Sequence, residues 1–496
     1  MATIPTTTKD IAVPTAKLED FHISESELPP SPPSTEDVQA NLTALLLPQL
    51  SEKASINLPS DAAYKENTAR WSETTFTSPT AVVNVASEAD ISTVIKFATS
   101  HNIPFLAQSG THGLSSSLQK LTGKPHIIIN LRLLNSVTVD LPSGTATISA
   151  GALTKEAVDA AHAAKAHIVA GVCNTVGVIP ALLGGGMGNM ISLYGLGVDQ
   201  ILSARLVLAS GEVVTCSLDE NPDLFWGIRG AGHNFGIVSE LKVKAYEQIN
   251  EGVHWTGTLG FTGSKELLGK ITESIKEMGI GKGMGVMMIW ARPPPALQPM
   301  IILNLWYAGN EDEAKIAYSK LFDLEPMMQI CAPTPYDHVN DANDLVCEKG
   351  QRKPAYSLGL DFSQLSDLEN VWEQWVEWSN REGAGHSVVL SEIYGFDKAR
   401  EVDEGSTAFA WRGAGVFVLT IPIYASPTLD ADAHVYGTKF RSTLQGAAPQ
   451  RVYSNFANGD EDPSSLYGGE ERLQRLRALK RTWDPKGVFS WYNPVC

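Results

Sequence analysis

A chain of 496 residues is too long for one small hydrophobic core and predicts two domains, or one domain with a second inserted into it. Its 43% hydrophobic and 19% charged residues are typical of a folded globular protein and exclude collagen, coiled coils and largely disordered chains. The formal net charge of -17 argues against nucleic acid and anionic membranes as partners, so we expect backbone amides to hold any bound anion.

The cysteine spacing and the N-terminal residues indicate the cellular setting. Five cysteines are widely spaced without a CxxC pair, which predicts neither a disulfide framework nor a zinc site, and each is expected to be a reduced thiol. Residues 1–40 are predicted to form a tail or surface arm, without the basic start and apolar core of a secretory signal. No apolar run approaches the roughly 20 residues that span a membrane. We therefore expect a cytoplasmic protein that has no metal site and no membrane partner.

Two strands and a helix precede a loop of small residues. The run TAVVNVAS predicts a strand, Ser87 is typical of a helix N-cap, and IPFLAQ predicts a second strand. The loop SGTHG, residues 109–113, follows directly. Its small residues leave backbone N–H groups free to bind an anion, and His112 is the one large side chain among them.

The elements after this loop exclude a dinucleotide-binding Rossmann unit, in which the glycines would lead straight into a helix. Instead, the pattern predicts the strand PHIIINL and a hairpin whose turn is Pro142, Ser143 and Gly144. A helix over TKEAVDAAHAAKA then leads to a second glycine-rich region, GVCNTVG, which contains Cys173. Two glycine loops that each carry one nucleophilic side chain are difficult to explain by packing alone.

Beyond about Gly252 the pattern changes to long strands that alternate with amphipathic helices. The runs MGVMMIWAR, PMIILNLWYAG, SVVLSEIYG and GVFVLTIPIY predict a large antiparallel sheet backed by helices. Trp372, Trp375 and Trp378 recur at helical spacing and are predicted to pack from one helix face. The sequence therefore predicts an α+β fold.

Eight ordered segments resemble one family, the berberine-bridge-enzyme-like branch of the oxidases with a vanillyl-alcohol-oxidase (PCMH) type FAD-binding domain. The resemblance covers about residues 65–496. Its segments are RWSETTFTSPTAVV, SGTHG, GVCNTVGV, LGGGMGNMISLYGLGVDQILSARLV, DLFWGIRGAGHNFGIV, STAFAWR, YSNF and YGGEERLQRLRALKRTWDPKGVF. It implies a two-part FAD-binding domain at 41–250, a substrate-binding domain with the large antiparallel sheet at 251–450, and a C-terminal segment at 451–496 that returns to the FAD domain.

The resemblance also implies FAD bonded from two sides, through His112 to the 8α carbon and through Cys173 to C6 of the ring. Both attachments withdraw electrons and are expected to raise the flavin potential. Gln108 and Thr111 replace an arginine and a glycine that are common in the family loop. The residues predicted to contact FAD are His112, Cys173, Ser109, Gly110, Thr111, Gly113, Asn174, Thr175, Gly177, Gly185, Gly186, Gly188, Asn189, Gly236, Ile237, Val238, Tyr453 and Asn455. For the glycines of LGGGMGN, a tight turn between packed elements is the alternative interpretation.

The catalytic base is the point at which the sequence departs from the family. The usual base positions hold Thr420 and Phe456, and neither side chain is a base near neutral pH. The remaining candidates for catalysis are Tyr194, Tyr453, Glu392, Trp411 and Arg412. A salt bridge or a charge at the rim of the substrate sheet is the alternative interpretation for Glu392 and Arg412.

The resemblance implies an FAD-dependent oxidase that transfers a hydride from a small specialised-metabolite substrate to flavin N5, with dioxygen as the electron acceptor. The substrate is expected to be an alcohol, an amine or a dihydro-heteroaromatic compound, and its oxidation can trigger ring closure or desaturation. The missing base residues motivate an alternative, a non-redox cyclase or isomerase that retains FAD as a structural or electrostatic cofactor. The sequence leaves the substrate's identity and the oligomeric state open.

Overall fold

The computed structural model describes residues 34–496, so residues 1–33 of the predicted tail lie outside the described residues. The later part of that segment, from Thr35, is a helix, and its Val38 is fully buried in the core formed with the first sheet. Val38 thus anchors this end of the predicted tail or surface arm to the core.

A four-stranded sheet carries the first glycine loop. Its strands are β1 (Ser55–Asn57), β2 (Ala81–Asn84), β3 (Phe105–Gln108) and β4 (Ile127–Asn130). They are arranged in the order β1-β2-β4-β3, with β2, β4 and β3 parallel and β1 antiparallel to β2. The accompanying helices are α1 (Thr35–Asn41), α2 (Tyr64–Thr68) and α3 (Glu88–Ser100). Ser87 caps α3 by accepting a hydrogen bond from the Asp90 amide, as the sequence predicts.

An antiparallel five-stranded sheet follows, in the order β5-β6-β10-β8-β9. Its strands are β5 (Val137–Asp140), β6 (Thr145–Ser149), β8 (Ile201–Val207), β9 (Val213–Ser217) and β10 (Ile237–Lys244). A short pair beside it joins β7 (Ala166–His167) to β11 (Tyr246–Glu247). The helices of this part are α4 (Thr154–Ala163), α5 (Val178–Gly184), α6 (Ile191–Tyr194) and α7 (Pro222–Ala231).

The second part of the chain is built on a seven-stranded sheet in which all neighbours are antiparallel. Its order is β15-β12-β14-β13-β17-β18-β16. The strands are β12 (Val253–Thr262), β13 (Met284–Ala291), β14 (Met300–Tyr307), β15 (Met328–Pro335), β16 (Tyr356–Leu360), β17 (Val388–Tyr394) and β18 (Val416–Ile421). The remaining helices are α8 (Lys265–Met278), α9 (Glu311–Ala317), α10 (Ser319–Phe322), α11 (Asp344–Cys347), α12 (Trp372–Ser379), α13 (Asp397–Arg400), α14 (Asp430–Gln445), α15 (Pro463–Leu466) and α16 (Glu470–Trp483).

Helices α8, α12 and α14 cover one face of this sheet. The three tryptophans of α12 are buried in the core there, and Trp372 and Trp375 pack against Trp290 of β13. Their prediction as packing residues is confirmed. Because side chains alternate along a strand, every second residue of β17 and β18 points to the other face, towards the first part of the chain.

The C-terminal segment lies against the first part of the chain. Three leucines of α16, Leu473, Leu476 and Leu479, enter the hydrophobic core that also contains Phe225 and Trp226 of α7. The predicted α+β class is confirmed, whereas the domain limits at residues 250 and 450 stay a prediction. Within residues 34–496 no helix is long and apolar enough to cross a membrane.

A buried histidine pair joins the two parts of the chain. His167 of β7 and His254 of β12 are fully buried, with their Nε2 atoms 3.1 Å apart. Neither Nδ1 has a hydrogen-bond partner among the described residues. Burial lowers the pKa of His167 to about 3 and that of His254 to about 4, so both rings are neutral at physiological pH.

This pair predicts a loss of stability in acid. Below pH 6.5 the unfolded chain takes up protons that the folded pair resists, so stability falls as the pH drops from 6.5 towards 4. Each histidine is expected to cost about 2 kcal/mol at pH 5 relative to neutral pH. His254→Gln keeps a hydrogen-bonding group but does not titrate, and should shrink this pH slope. Urea unfolding at pH 7 and pH 5 measures it, and equal slopes in both proteins would contradict the assignment.

Candidate active site

A cavity of about 370 Å³ lies where the first glycine loop, the second glycine loop and the uncovered face of the seven-stranded sheet meet. Leu390 and Glu392 of β17 and Leu419 and Ile421 of β18 form the sheet side. Of the predicted site residues, the cavity is lined by Ser109, Gly110, Thr111, His112, Gly113, Cys173, Gly177, Gly236, Ile237, Val238, Glu392, Tyr453 and Asn455. Residues far apart in sequence thus share one site.

The first loop presents a row of free backbone amides. None of the amides of residues 109–113 donates a hydrogen bond to another residue within 34–496. Gly110 has to be glycine, because a Cβ there would collide with the backbone of Thr175 and Gly177. Thr111 adopts a left-handed φ of 63°, held by its hydroxyl bond to the Ala69 carbonyl (3.0 Å). Glycine would adopt this φ without strain, and glycine is the residue that is common at this position in the family loop.

His112 is held in one orientation at the cavity wall. Its Nε2 lies 2.8 Å from the Thr175 hydroxyl, and its ring stacks on Trp71 with 6.0 Å between centroids. Nδ1 has no partner within the described residues. Burial, with nearby Lys349, Lys353 and Arg70, lowers the pKa of His112 to about 3. The imidazole is therefore neutral and nucleophilic at physiological pH.

The second loop carries Cys173, which the structure joins to Cys347 in a disulfide with 6.2 Å between their Cα atoms. The expectation that every cysteine is a reduced thiol is wrong for this pair. A separation of 174 residues hides such a pair from spacing rules, because only the tertiary fold brings α11 to this loop. Cys216, Cys331 and Cys496 are free, as expected.

The two residues after Cys173 do not line the cavity. The Asn174 side chain donates to the carboxylates of Asp341 (3.1 Å) and Asp344 (3.0 Å) instead. Thr175 acts through its hydroxyl, which holds His112. Gly177 does reach the cavity, and a Cβ there would strike the Ser109 side chain. The second loop thus packs directly on the first loop, and this contact fixes the distance between the two loops.

The glycine run at 184–188 supports the site from behind, and neither these glycines nor Asn189 line the cavity. Gly185 packs against the Tyr453 ring, and Gly188 against the backbone of Ala170. The Gly186 amide donates to the Tyr453 hydroxyl (3.1 Å). This is the tight-turn interpretation that the sequence left open, and its effect is to hold Tyr453 at the cavity.

Glu392 is the only carboxyl group among the described residues that line the cavity. It is 6% exposed, and burial raises its pKa to about 7, partly offset by the Tyr394 hydroxyl beside it. Tyr453 accepts hydrogen bonds from the Asn455 side chain (2.7 Å) and the Gly186 amide, and burial raises its pKa above the ordinary value. Glu392 is consequently the group poised to exchange a proton near neutral pH.

The two positions expected to carry a family base face different directions. Thr420 is turned to the helical side of the sheet, where its hydroxyl lies 2.7 Å from that of Tyr436 on α14. Phe456 lines the cavity and contacts the Tyr453 ring with 4.7 Å between centroids. Neither residue supplies a base, and Glu392, on the neighbouring strand β17, presents a carboxyl to the same cavity.

The other catalytic candidates lie away from the cavity lining. Tyr194 stacks on Tyr246 with 3.8 Å between ring centroids. Arg412 is 3% exposed and forms a two-pronged ion pair with Asp199, at 2.7 and 2.6 Å. Trp411 adjoins it, and its ring nitrogen has no partner in the described part of the chain. For Arg412 the salt-bridge interpretation is therefore the one the geometry supports.

Breaking this buried pair is expected to destabilise the fold. Arg412→Leu should lower the free energy of unfolding by about 3–5 kcal/mol, because Asp199 is left buried and uncompensated. The double variant Asp199→Leu/Arg412→Leu should recover much of that loss. Chemical denaturation of the three proteins checks this, and a single variant as stable as the parent would show that the pair is dispensable.

Several cavity residues were not predicted from the sequence. Arg70 and Trp71 stand at the start of the segment RWSETTF, and Trp491 and Tyr492 lie at the C-terminus. Three of these residues are aromatic and lie within or just after segments that match the family, and this was the sequence signal that could have identified them. His233, whose Nε2 lies 3.2 Å from the Tyr467 hydroxyl, also lines the cavity, and burial lowers its pKa to about 4.

The arrangement fits FAD. Free amides suit a pyrophosphate, and the loop glycines permit the close approach it needs. A neutral imidazole at the wall suits a bond to the flavin ring. FAD would accordingly be held by the first loop, by His112 and by the segment Gly236, Ile237 and Val238, which also lines the cavity.

Comparisons with known proteins identify the family. Residues 79–217 match a family described as FAD binding domain, and residues 452–495 match one described as berberine and berberine like. FAD-linked oxidoreductase hasG of Aspergillus fumigatus is 30% identical over 455 residues, covering 88% of this chain and 95% of the relative. FAD-linked oxidoreductase OXR1 of Pyricularia oryzae is 32% identical over 449 residues, covering 87% of each chain.

Solved structures share the fold at lower identity. Physcomitrella patens BBE-like 1 superposes with a TM-score of 0.79 at 20% identity, covering 92% of this chain and 99% of that one. Glucooligosaccharide oxidase from Acremonium strictum, described with a 6-S-cysteinyl, 8α-N1-histidyl FAD, gives 0.78 at 19%, covering 92% and 98%. The resemblance deduced from the sequence is confirmed. The chain belongs to the berberine-bridge-enzyme-like family, and it is an FAD-linked oxidoreductase.

Proposed function

We propose that this protein is an FAD-dependent oxidase of a small, largely apolar organic substrate, with Glu392 as the proton acceptor. The observation that carries the proposal is the position of Glu392, a single buried carboxyl with a pKa near neutrality in the wall of the FAD cavity. When bound, FAD accepts a hydride from a substrate C–H bond and passes the electrons to dioxygen, which becomes hydrogen peroxide.

Residues of the chain bind the cofactor and accept the substrate proton. Amides of residues 109–113 would bind the pyrophosphate, and the free Nδ1 of His112 would hold the flavin through a bond to its 8α carbon. Forming that bond releases one proton from the 8α carbon, one proton from the imidazole and two electrons, which dioxygen would take up to become hydrogen peroxide. Cys173 would form the second bond, to C6, which is the position of the cysteinyl bond in the FAD of the Acremonium enzyme. Glu392 takes the proton from a substrate hydroxyl or amine as the hydride leaves. Because its pKa is about 7, this carboxyl is ionised in about half of the protein molecules at pH 7.

The substrate class follows from the chemistry of the wall. Around Glu392 the sheet presents Leu390, Leu419 and Ile421, and Phe456 closes the same side. Such a wall excludes water and offers few hydrogen bonds to the several hydroxyls of a sugar. An aromatic or heterocyclic alcohol, amine or dihydro compound matches one carboxyl set among apolar groups, and its oxidation leads to desaturation or ring closure.

Anaerobic mixing of enzyme and substrate tests the proposal. An oxidase should show bleaching of the flavin absorption band at a rate that accounts for turnover, and admitting dioxygen should restore the band with one hydrogen peroxide per product. Product formed while the band stays unchanged would overturn the proposal in favour of the non-redox cyclase or isomerase. A panel of aromatic alcohols, amines and dihydro-heterocycles, with oligosaccharides as controls, tests the substrate class.

A further inference from the structure

We propose that Cys347 is a redox partner of Cys173, and that a disulfide between them decides whether FAD is attached by one bond or by two. The inference rests on the proposed function, in which Cys173 bonds to flavin C6. A cysteine sulfur forms only one covalent bond beyond its Cβ, so Cys173 can be joined to Cys347 or to the flavin but not to both.

Cys347 is held next to the second loop by bonds that do not involve sulfur. Residues 340–347, which we term the strap, lie along residues 171–175. The Asn340 side chain donates to the Gly171 carbonyl (3.3 Å), and the Asn343 side chain donates to the Val172 carbonyl (3.0 Å). In the reverse direction Asn174 donates to two carboxylates of the strap. Hydrogen bonds between the strap and the second loop therefore keep the two cysteines next to each other without relying on the disulfide.

The strap also contacts the proposed point of histidyl attachment. The Thr175 hydroxyl is within hydrogen-bond reach of His112 Nε2, of the Cys347 carbonyl (3.4 Å) and of the Cys173 sulfur (3.5 Å). Trp71, which stacks on His112, donates from its ring nitrogen to the Val346 carbonyl (2.9 Å). Cys347 therefore belongs to the attachment site itself.

The two sulfurs differ in what they can reach. Cys173 lines the cavity, whereas Cys347 is 4% exposed and does not line it. Cys347 can therefore react with Cys173 but has no direct path to the flavin. A thiolate is the reactive form for either bond.

Both reactions balance. In the first, the thiols of Cys173 and Cys347 lose two protons and two electrons to hydrogen peroxide, the product of the proposed oxidase, which becomes two waters. In the second, the Cys173 thiolate bonds to flavin C6, the C6 proton is released, and dioxygen removes the electron pair left on the ring and becomes hydrogen peroxide. A dithiol reductant reverses the first reaction and leaves the thioether intact.

Peptide mass mapping of the purified full-length protein tests the pair. Wild-type protein should contain Cys173 in two forms, disulfide-linked to Cys347 and thioether-linked to FAD, with flavin bonded to His112 in both. Dithiothreitol followed by air should convert the disulfide-linked form into the thioether form. Cys347→Ser, and Cys347→Ala as a second choice if the serine variant does not fold, should carry the thioether on every chain. Cys331→Ser is the matched control and should behave as wild type.

Two results would overturn the inference. One is the absence of any Cys173–Cys347 disulfide, even after treatment of the reduced protein with hydrogen peroxide. The other is an equal thioether fraction in wild type and Cys347→Ser. If Cys173 stays a free thiol in Cys347→Ser while His112 carries the flavin, the attachment of FAD to Cys173 in the proposed function fails as well, and the two failures are thereby distinguished.

Discussion

Replacing Glu392 by glutamine is expected to lower kcat/KM by about 100- to 10,000-fold, the range for removing a positioned general base. Glutamine keeps the shape of the side chain and removes the group that accepts the proton. In the parent enzyme kcat/KM should rise with pH through about 7, because the ionised carboxylate is the active form and burial raises the pKa of Glu392 to about 7. The variant should lose that limb of the profile.

The same substitution should not weaken the fold. A carboxyl whose folded pKa lies above its unfolded value costs stability above pH 4.5, because the unfolded state ionises first. Glu392→Gln removes that cost, so its melting temperature at pH 8 should equal or exceed that of the parent. Asp397→Asn, an exposed carboxyl on α13, is the matched control for rate. A Glu392→Gln enzyme with parental kcat/KM and an unchanged pH profile would exclude Glu392 as the base.

Removing both proposed attachment residues is expected to abolish covalent flavin. In His112→Ala/Cys173→Ala all flavin should pass into the filtrate after acid denaturation. In His112→Ala, flavin should stay bound only on chains that carry the Cys173 thioether. The physical reason is that no other imidazole or thiol of the first two loops lines the described cavity. The flavin absorbance of the retained protein and of the filtrate measures how much flavin is covalently bound and how much is free.

Two further variants separate attachment from packing. Thr175→Val removes the hydroxyl that holds His112 Nε2, and should slow attachment without preventing it, because the imidazole remains. His386→Ala, an exposed histidine, should leave attachment unchanged. Covalent flavin retained in the double alanine variant would refute both assignments.

Much of the framework could be predicted from the sequence, because local patterns determine it. The strand before the loop SGTHG, the Ser87 cap, the hairpin at Gly144 and the tryptophan face of α12 depend on residues that are close in sequence. The free backbone amides of the first loop could be predicted for the same reason, since they follow from the small size of its side chains.

The contacts between distant parts of the chain could not be predicted from the sequence, because only the tertiary fold brings those residues together. Cys347 meets Cys173 only through the strap, and Arg412 pairs with Asp199 across 213 residues. Thr420 shows how sensitive a strand is to register: its neighbours Leu419 and Ile421 line the cavity, while Thr420 itself faces the helices. Choosing Glu392 from among five candidates required knowing which strand face closes the cavity.

The central claim is that a flavin is covalently attached to His112 in the cavity. The mass and the absorbance spectrum of the denatured wild-type protein test this claim most directly. We predict a chain heavier by one FAD, with the yellow colour retained on the protein after filtration, and the flavin mapped to the peptide that contains His112. A chain of unmodified mass, with all colour in the filtrate, would contradict covalent attachment at His112.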